Sequence, residues 1–225
     1  MTGISAVSRR TRETLILTGE RLFAEHGIDA VSLRRINMAA GQRNSSAAHY
    51  HFGSKDALIR AVFDYRMQRV NDRRLAMLDE LANNGLESDV RAIVGAIVQP
   101  LVDETRQAGG CHYIRFMAQV IGHPQIGLQD IWNSPYTAGL ARVMELLRAS
   151  LPELPKIILN QRFGLMWVQT VHALANRERL SSAGQAPAVD AKLFVGNLED
   201  MIAAGLAAPV STGTTASLGR SGTGH

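Results

Sequence analysis

Residues 31–60, VSLRRINMAAGQRNSSAAHYHFGSKDALIR, constrain the fold more than any other stretch of this 225-residue chain. They read as two short helices around a glycine turn, followed at once by a long third helix. Ser32 opens the first, since its hydroxyl can accept a backbone N–H that a helix start leaves unpaired. Leu33, Ile36 and Ala40 follow at helical spacing and should face inward. Gly41 supplies the backbone freedom needed to leave that helix. The second helix spans roughly Ser45 to His51, and its small residues permit close approach to another surface. Phe52-Gly53 ends it, and Ser54 caps the next helix at Lys55-Asp56. A compact helix, turn and helix rich in Ser, Asn, Arg, His and Tyr suits the reading of a DNA major groove.

The flanking sequence continues in helical register. A first helix is expected from Arg9 or Thr11 to His26, with Gly27 as its stop. The helix from Lys55 carries Leu58, Val62, Tyr65, Val70, Leu75, Leu78 and Leu81 and should end at Asn83-Asn84-Gly85. Further helices are expected over Ser88–Gln107, Cys111–Gly122, Pro135–Leu151, Lys156–Ser181 and Ala188–Ala207, with a short turn of helix in Ile126–Asn133. Alternating strand patterns are absent, so the fold class is all-α: a three-helix head joined to a larger helical body. The divisions are an arm over 1–8, a head over 9–54 and a body over 55–207. The segment 208–225, rich in Gly, Ser and Thr, is expected to be a disordered tail.

Charge singles out the head. Residues 1–60 hold nine Lys and Arg against five Asp and Glu, an excess of four that equals the formal charge of the whole protein. A basic end is what phosphate attracts. No apolar run approaches the ~18 residues needed to span a membrane. The N-terminus has no apolar signal core, and the single Cys111 cannot form an internal disulfide. A cytoplasmic protein with no membrane partner is the expectation.

The segment 9–60 resembles the DNA-binding domain of the TetR family of bacterial transcription repressors. The resemblance rests on TRETLILTGERLFAEHG, DAVSLRRI, Ala40-Gly41 and YHFGSKDAL, the last being close to the family's Y-x-F-x-S-K-E-x-L. The interval from Gly41 to Phe52 is one residue longer than the family norm, which places the extra residue in the GQRNSS turn. The resemblance implies that Tyr50 and Lys55 contact phosphate. Ser45, Ser46, Ala47 and His49 would fall toward the groove, where His49 can meet a base edge and Ala47 a thymine methyl. Ser32 with Arg34 forms a second phosphate clamp, and Arg43 can reach a guanine or a phosphate.

A TetR-like body implies a homodimer and a small-molecule effector. The two C-terminal helices, apolar over more than one stripe, should form the dimer face, with Gly164, Gly196 and Gly205 permitting close approach. Phe116, Met117, Trp132, Tyr136, Phe163 and Trp167, with His172 as a polar point, could line a pocket for an apolar or amphipathic effector, although such stripes also build ordinary core. The histidines lack metal-ligand spacing, so neither a metal nor another cofactor is expected. A glycine-rich phosphate loop, a nucleophile elbow and a His/Glu metal pair are all missing, which argues against an enzyme. The sequence thus points to an operator-binding repressor released by an effector, with an architectural, effector-independent DNA binder as the alternative.

Overall fold

The computed structural model of the protein describes residues 6–44, 46–106, 111–123, 126, 134–185 and 189–221. These residues form helices without strands. The helices are α1 (Ala6–His26), α2 (Leu33–Ala39), α3 (Ala47–Phe52), α4 (Lys55–Asn83), α5 (Val90–Thr105) and α6 (Cys111–Ile121). A 3-10 turn at Pro135–Thr137 leads into α7 (Ala138–Ser150), followed by α8 (Lys156–Ser182), α9 (Ala191–Ala207) and α10 (Thr212–Ser221).

Local chemistry explains the starts and stops. Ser32, Ser54, Asp89 and Asp190 each accept a backbone N–H three residues on, from Arg35, Ala57, Ala92 and Leu193. Each satisfies a donor that the first turn cannot. Gly41 and Gly53 adopt φ of 65° and 74° where the chain leaves α2 and α3, a left-handed backbone that costs glycine nothing.

Apolar contact is continuous from head to body. Leu15, Ile16, Phe23, Ile36, Ala48 and Leu58 belong to the same buried cluster as Ile93, Phe116, Val143, Trp167 and Leu198. α1 packs on α4 and α6, α6 on α8, and α5 on α4, α7 and α9. The Phe23 and Phe116 rings lie 6.0 Å apart across the α1–α6 contact.

Ionic contacts join the same elements. The Arg66 Nε and Nη2 atoms donate to both Glu20 oxygens at 2.6 and 2.8 Å. Its Nη1 donates to Glu104 at 2.8 Å, and Arg69 reaches the same carboxylate. Arg66, Glu20 and Glu104 are all buried. Burial opposes the charge on Arg66, but the two carboxylates outweigh it and hold the guanidinium firmly protonated.

Two expectations need correction. Helix α1 begins at Ala6, so part of the expected arm 1–8 is helical. The expected disordered tail contains α10. The Ser211 hydroxyl accepts from Thr214 N, and the Thr215 and Ser217 hydroxyls donate to carbonyls four residues back. The Ser211 cap and these local bonds accompany a helix whose described side chains are mostly exposed.

Candidate nucleic-acid interface

Helix α3 has six residues, too few to persist without support. Its support comes from α2. Asn37 is 2% exposed and lies on the inward stripe with Leu33, Ile36 and Ala40. Its Oδ1 accepts the Ala48 backbone N–H at 2.8 Å. A second asparagine shapes the turn: Asn44 Oδ1 accepts the Ser46 N–H at 2.9 Å. Together they satisfy donors at the start of α3 that its own first turn leaves open.

With that face fixed inward, Ser46, His49 and Tyr50 are exposed, and Tyr50 retains 81% of its surface. Positions 46, 49 and 50 lie on one face of a helix. Arg43 is exposed in the preceding turn, and Arg34 is exposed on α2. Ser32 is also exposed, but its hydroxyl caps α2. Ser45 lies outside the described residues.

Ala47 is a correction. It is 8% exposed and belongs to the apolar core beside Ala48, so its methyl is not presented to a groove. The helix starts at Ala47 rather than Ser45, and Ala47 joins Ala48 on its inward side.

Lys55 carries a role that the sequence reading lacked. Its Nζ donates to the Ile28 carbonyl at 2.9 Å, clamping the α1–α2 connection to the start of α4. An ammonium has three donors, and Lys55 is half-buried. Asn37 was missed in the same way. Its signal was a polar residue on an otherwise apolar stripe, which demands a buried partner.

The described apolar members of the expected effector set share one core cluster. Phe116 and Met117 are fully buried, Phe163 and Trp167 nearly so, and Tyr136 is half-buried. Trp132, with most of the expected helical turn in Ile126–Asn133, lies outside the described residues. His172 stands apart from the apolar set. It is exposed and lines a polar cavity of about 350 Å³ with Glu25, Arg115, Asn176 and Arg179.

The outer faces of α8 and α9 carry an apolar strip. Leu165 is 69% exposed, Leu193 58% and Met201 54%, with Ile157 and Val168 alongside. A Cβ on Gly164 or Gly205 would meet nothing within 4 Å. Gly196 differs from the expectation that it opens onto this strip, because the Arg91 side chain of α5 lies 4.0 Å from its Cβ position.

Comparison with known proteins agrees with this architecture. Residues 15–62 match the tetR family of bacterial regulatory proteins, and residues 95–205 match the tetracyclin repressor-like C-terminal domain. No curated protein matches the chain. Among solved structures, the chain is similar to a tetR family transcription regulator from Shewanella sp. PV-4. That match has a TM-score of 0.61 at 16% identity and covers 85% of this chain and 95% of that one. It is also similar to one from Marinobacter aquaeolei VT8, with a TM-score of 0.56 at 17% identity over 88% and 95% of the two chains. At such identities the solved structures speak for the fold, and the two matched regions span most of the sequence. The chain belongs to the TetR family of DNA-binding transcription regulators.

Proposed function

We propose that the protein is a sequence-specific repressor that binds its operator as a homodimer and is released by a small apolar or amphipathic effector. The observation that carries the DNA reading is α3, whose Ser46, His49 and Tyr50 are exposed while its opposite face is buried and stapled to α2. In this reading Ser46 and His49 meet base edges. Tyr50, the free donors of Lys55, Ser32 and Arg34 hold phosphate, and Arg43 reaches either. Phosphate contacts set the register, and base contacts choose the sequence. Residues 9–54 act as the reading head and 55–207 as the sensing and dimerising body. The apolar strip on α8 and α9 supports two-fold association, which presents two heads to two half-sites.

Release follows if an effector binds more tightly to a body arrangement in which α4 shifts and the heads separate differently. A coupling of about 1–3 kcal/mol is typical of such switches. The test is selection of genomic fragments by the purified protein, followed by footprinting. The expected outcome is a symmetric pair of half-sites whose centres are a whole number of helical turns apart, about 34–36 Å per turn. His49→Ala should relax base preference within each half-site, at roughly 1–3 kcal/mol per position. Recovery of fragments with no common site would refute the proposal.

A further inference from the structure

Arg74, in the middle of α4, has no exposed surface, and Tyr113 of α6 is 1% exposed. None of the Arg74 Nε, Nη1 and Nη2 atoms has a hydrogen-bond partner, and neither has the Tyr113 hydroxyl. The contrast within the same helix is sharp. Arg66, two turns earlier, is also buried but is shared between Glu20 and Glu104. Buried guanidinium groups require a compensating anion, and Arg74 has none among the described residues.

The surroundings explain why no protein group serves. Asn71, one turn before Arg74, commits its Oδ1 to the backbone N–H of Gly139 at the start of α7, at 2.8 Å. Gly139 rests directly on this pair: a Cβ there would fall 2.8 Å from Asn71 Oδ1 and 3.0 Å from Arg74 Cδ. Val70 and Leu78, one turn either side of Arg74, are buried and apolar, as are Phe116 and Met117 one turn after Tyr113. Burial pulls the Arg74 pKa down to about 10, which leaves it charged at neutral pH. Burial also pushes the Tyr113 phenol up, so it keeps its proton. The place therefore offers a fork of N–H donors, one hydroxyl and a positive charge among apolar neighbours, with the Glu20 and Glu104 carboxylates also acting on Tyr113. Among the described residues no acceptor is bonded to the Arg74 fork.

We propose that the region between α4, α6 and α7 is a binding site for an organic carboxylate. The carboxylate accepts from the Arg74 fork and from the Tyr113 hydroxyl, and its apolar remainder packs among the neighbouring core side chains. A planar two-oxygen anion matches a guanidinium fork. A single cation with one hydroxyl suits a monoanion better than a phosphate ester. The proposal rests on the reading of the body as a sensor and gives its effector a chemical class.

The test uses the full-length protein. Melting is followed with benzoate and with straight-chain carboxylates from acetate to dodecanoate, each against its own amide at matched concentration. A ligand that binds only the folded state raises the melting temperature, so at least one carboxylate should do so and exceed its amide. Arg74→Met should abolish that rise. It should also melt at or above the wild type without ligand, because an uncompensated buried charge has been removed. Tyr113→Phe should weaken the same carboxylate about 10-fold, the effect of one lost hydrogen bond.

The proposal is overturned if no carboxylate in the series exceeds its amide, or if the rise survives Arg74→Met. Should Arg74→Met not fold, Arg74→Lys keeps the charge and loses the fork, and full carboxylate affinity in that variant overturns the proposal as well. DNA retention is measured on the same samples. A wild type that holds no DNA counts against the regulator reading and leaves the carboxylate result standing.

Discussion

Replacing Asn37 by Ala should loosen the DNA-reading helix without unfolding the protein. The bond removed runs from the Ala48 N–H to Asn37 Oδ1 at 2.8 Å, between residues that are 0% and 2% exposed. Water cannot readily replace the lost acceptor, so the Ala48 amide is left buried and unpaired. That costs about 1–3 kcal/mol. The cost falls on six residues held at one end by Asn37 and closed at the other by Gly53. Such a segment opens locally before the global transition. Amide exchange at Ala48 should therefore accelerate by about 5- to 150-fold, the factor equivalent to 1–3 kcal/mol. The buried amides of Leu78 and Ile97, far from α3 in sequence, should change much less. Operator affinity should fall, because ordering α3 is now charged to binding. Unchanged protection at Ala48 would show that the bond does not hold α3. Equal acceleration at Leu78 and Ile97 would show that α3 does not open independently.

Three further outcomes follow from other contacts. Lys55→Ala should weaken binding to all DNA sequences by a similar factor and lower the salt slope by about one unit; an unchanged slope would confine Lys55 to its bond with Ile28. Leu165→Glu, at the centre of the strip on α8, should give a soluble monomer by sedimentation with much weaker operator binding, because two linked heads raise each other's effective concentration. A monomer that bound a full operator as tightly as the wild type would reject the linkage. Arg66→Met should destabilise the protein by about 3–5 kcal/mol in urea titration, because it strands Glu20 as a buried charge while Glu104 keeps Arg69. A loss no larger than that of an ordinary surface substitution would show that the cluster is solvated in solution.

The helices were legible because their ends are written locally. Ser32, Ser54, Gly27, Gly41 and Asn84-Gly85 mark starts and stops by their own chemistry, and the ends found lie within three residues of those expected for α1–α9. The exposed face of α3 was legible for Ser46, His49 and Tyr50. It failed at Ala47, where a helix of less than two turns leaves no periodicity to fix its phase. The interior charges were illegible for a different reason. Arg66 and Arg74 lie on the same helix with the same residue type, yet one is neutralised by α1 and α5 and the other faces α7 unpaired. Only distant segments decide between those states. The apolar effector set was illegible for the same reason, since the same aromatic residues at the same spacing build a core or a pocket according to what packs opposite them.

The Glu20–Arg66–Glu104 cluster bears on how this protein can be recombined. It joins α1 to α4, beyond the residues proposed to meet DNA, and it ends in α5. A chimera joined after residue 54 would carry Glu20 into a foreign body without Arg66, which bonds both of its carboxylate oxygens. A graft extended through Arg66 would restore that pair but leave Arg66 Nη1 without the Glu104 carboxylate. Residues 9–54 are therefore not a portable cassette. A working transplant must take the first half of α4 as well and supply a carboxylate at the position of Glu104 for Arg66, so the N-terminal helices are inherited together with a piece of the helix that leads away from them.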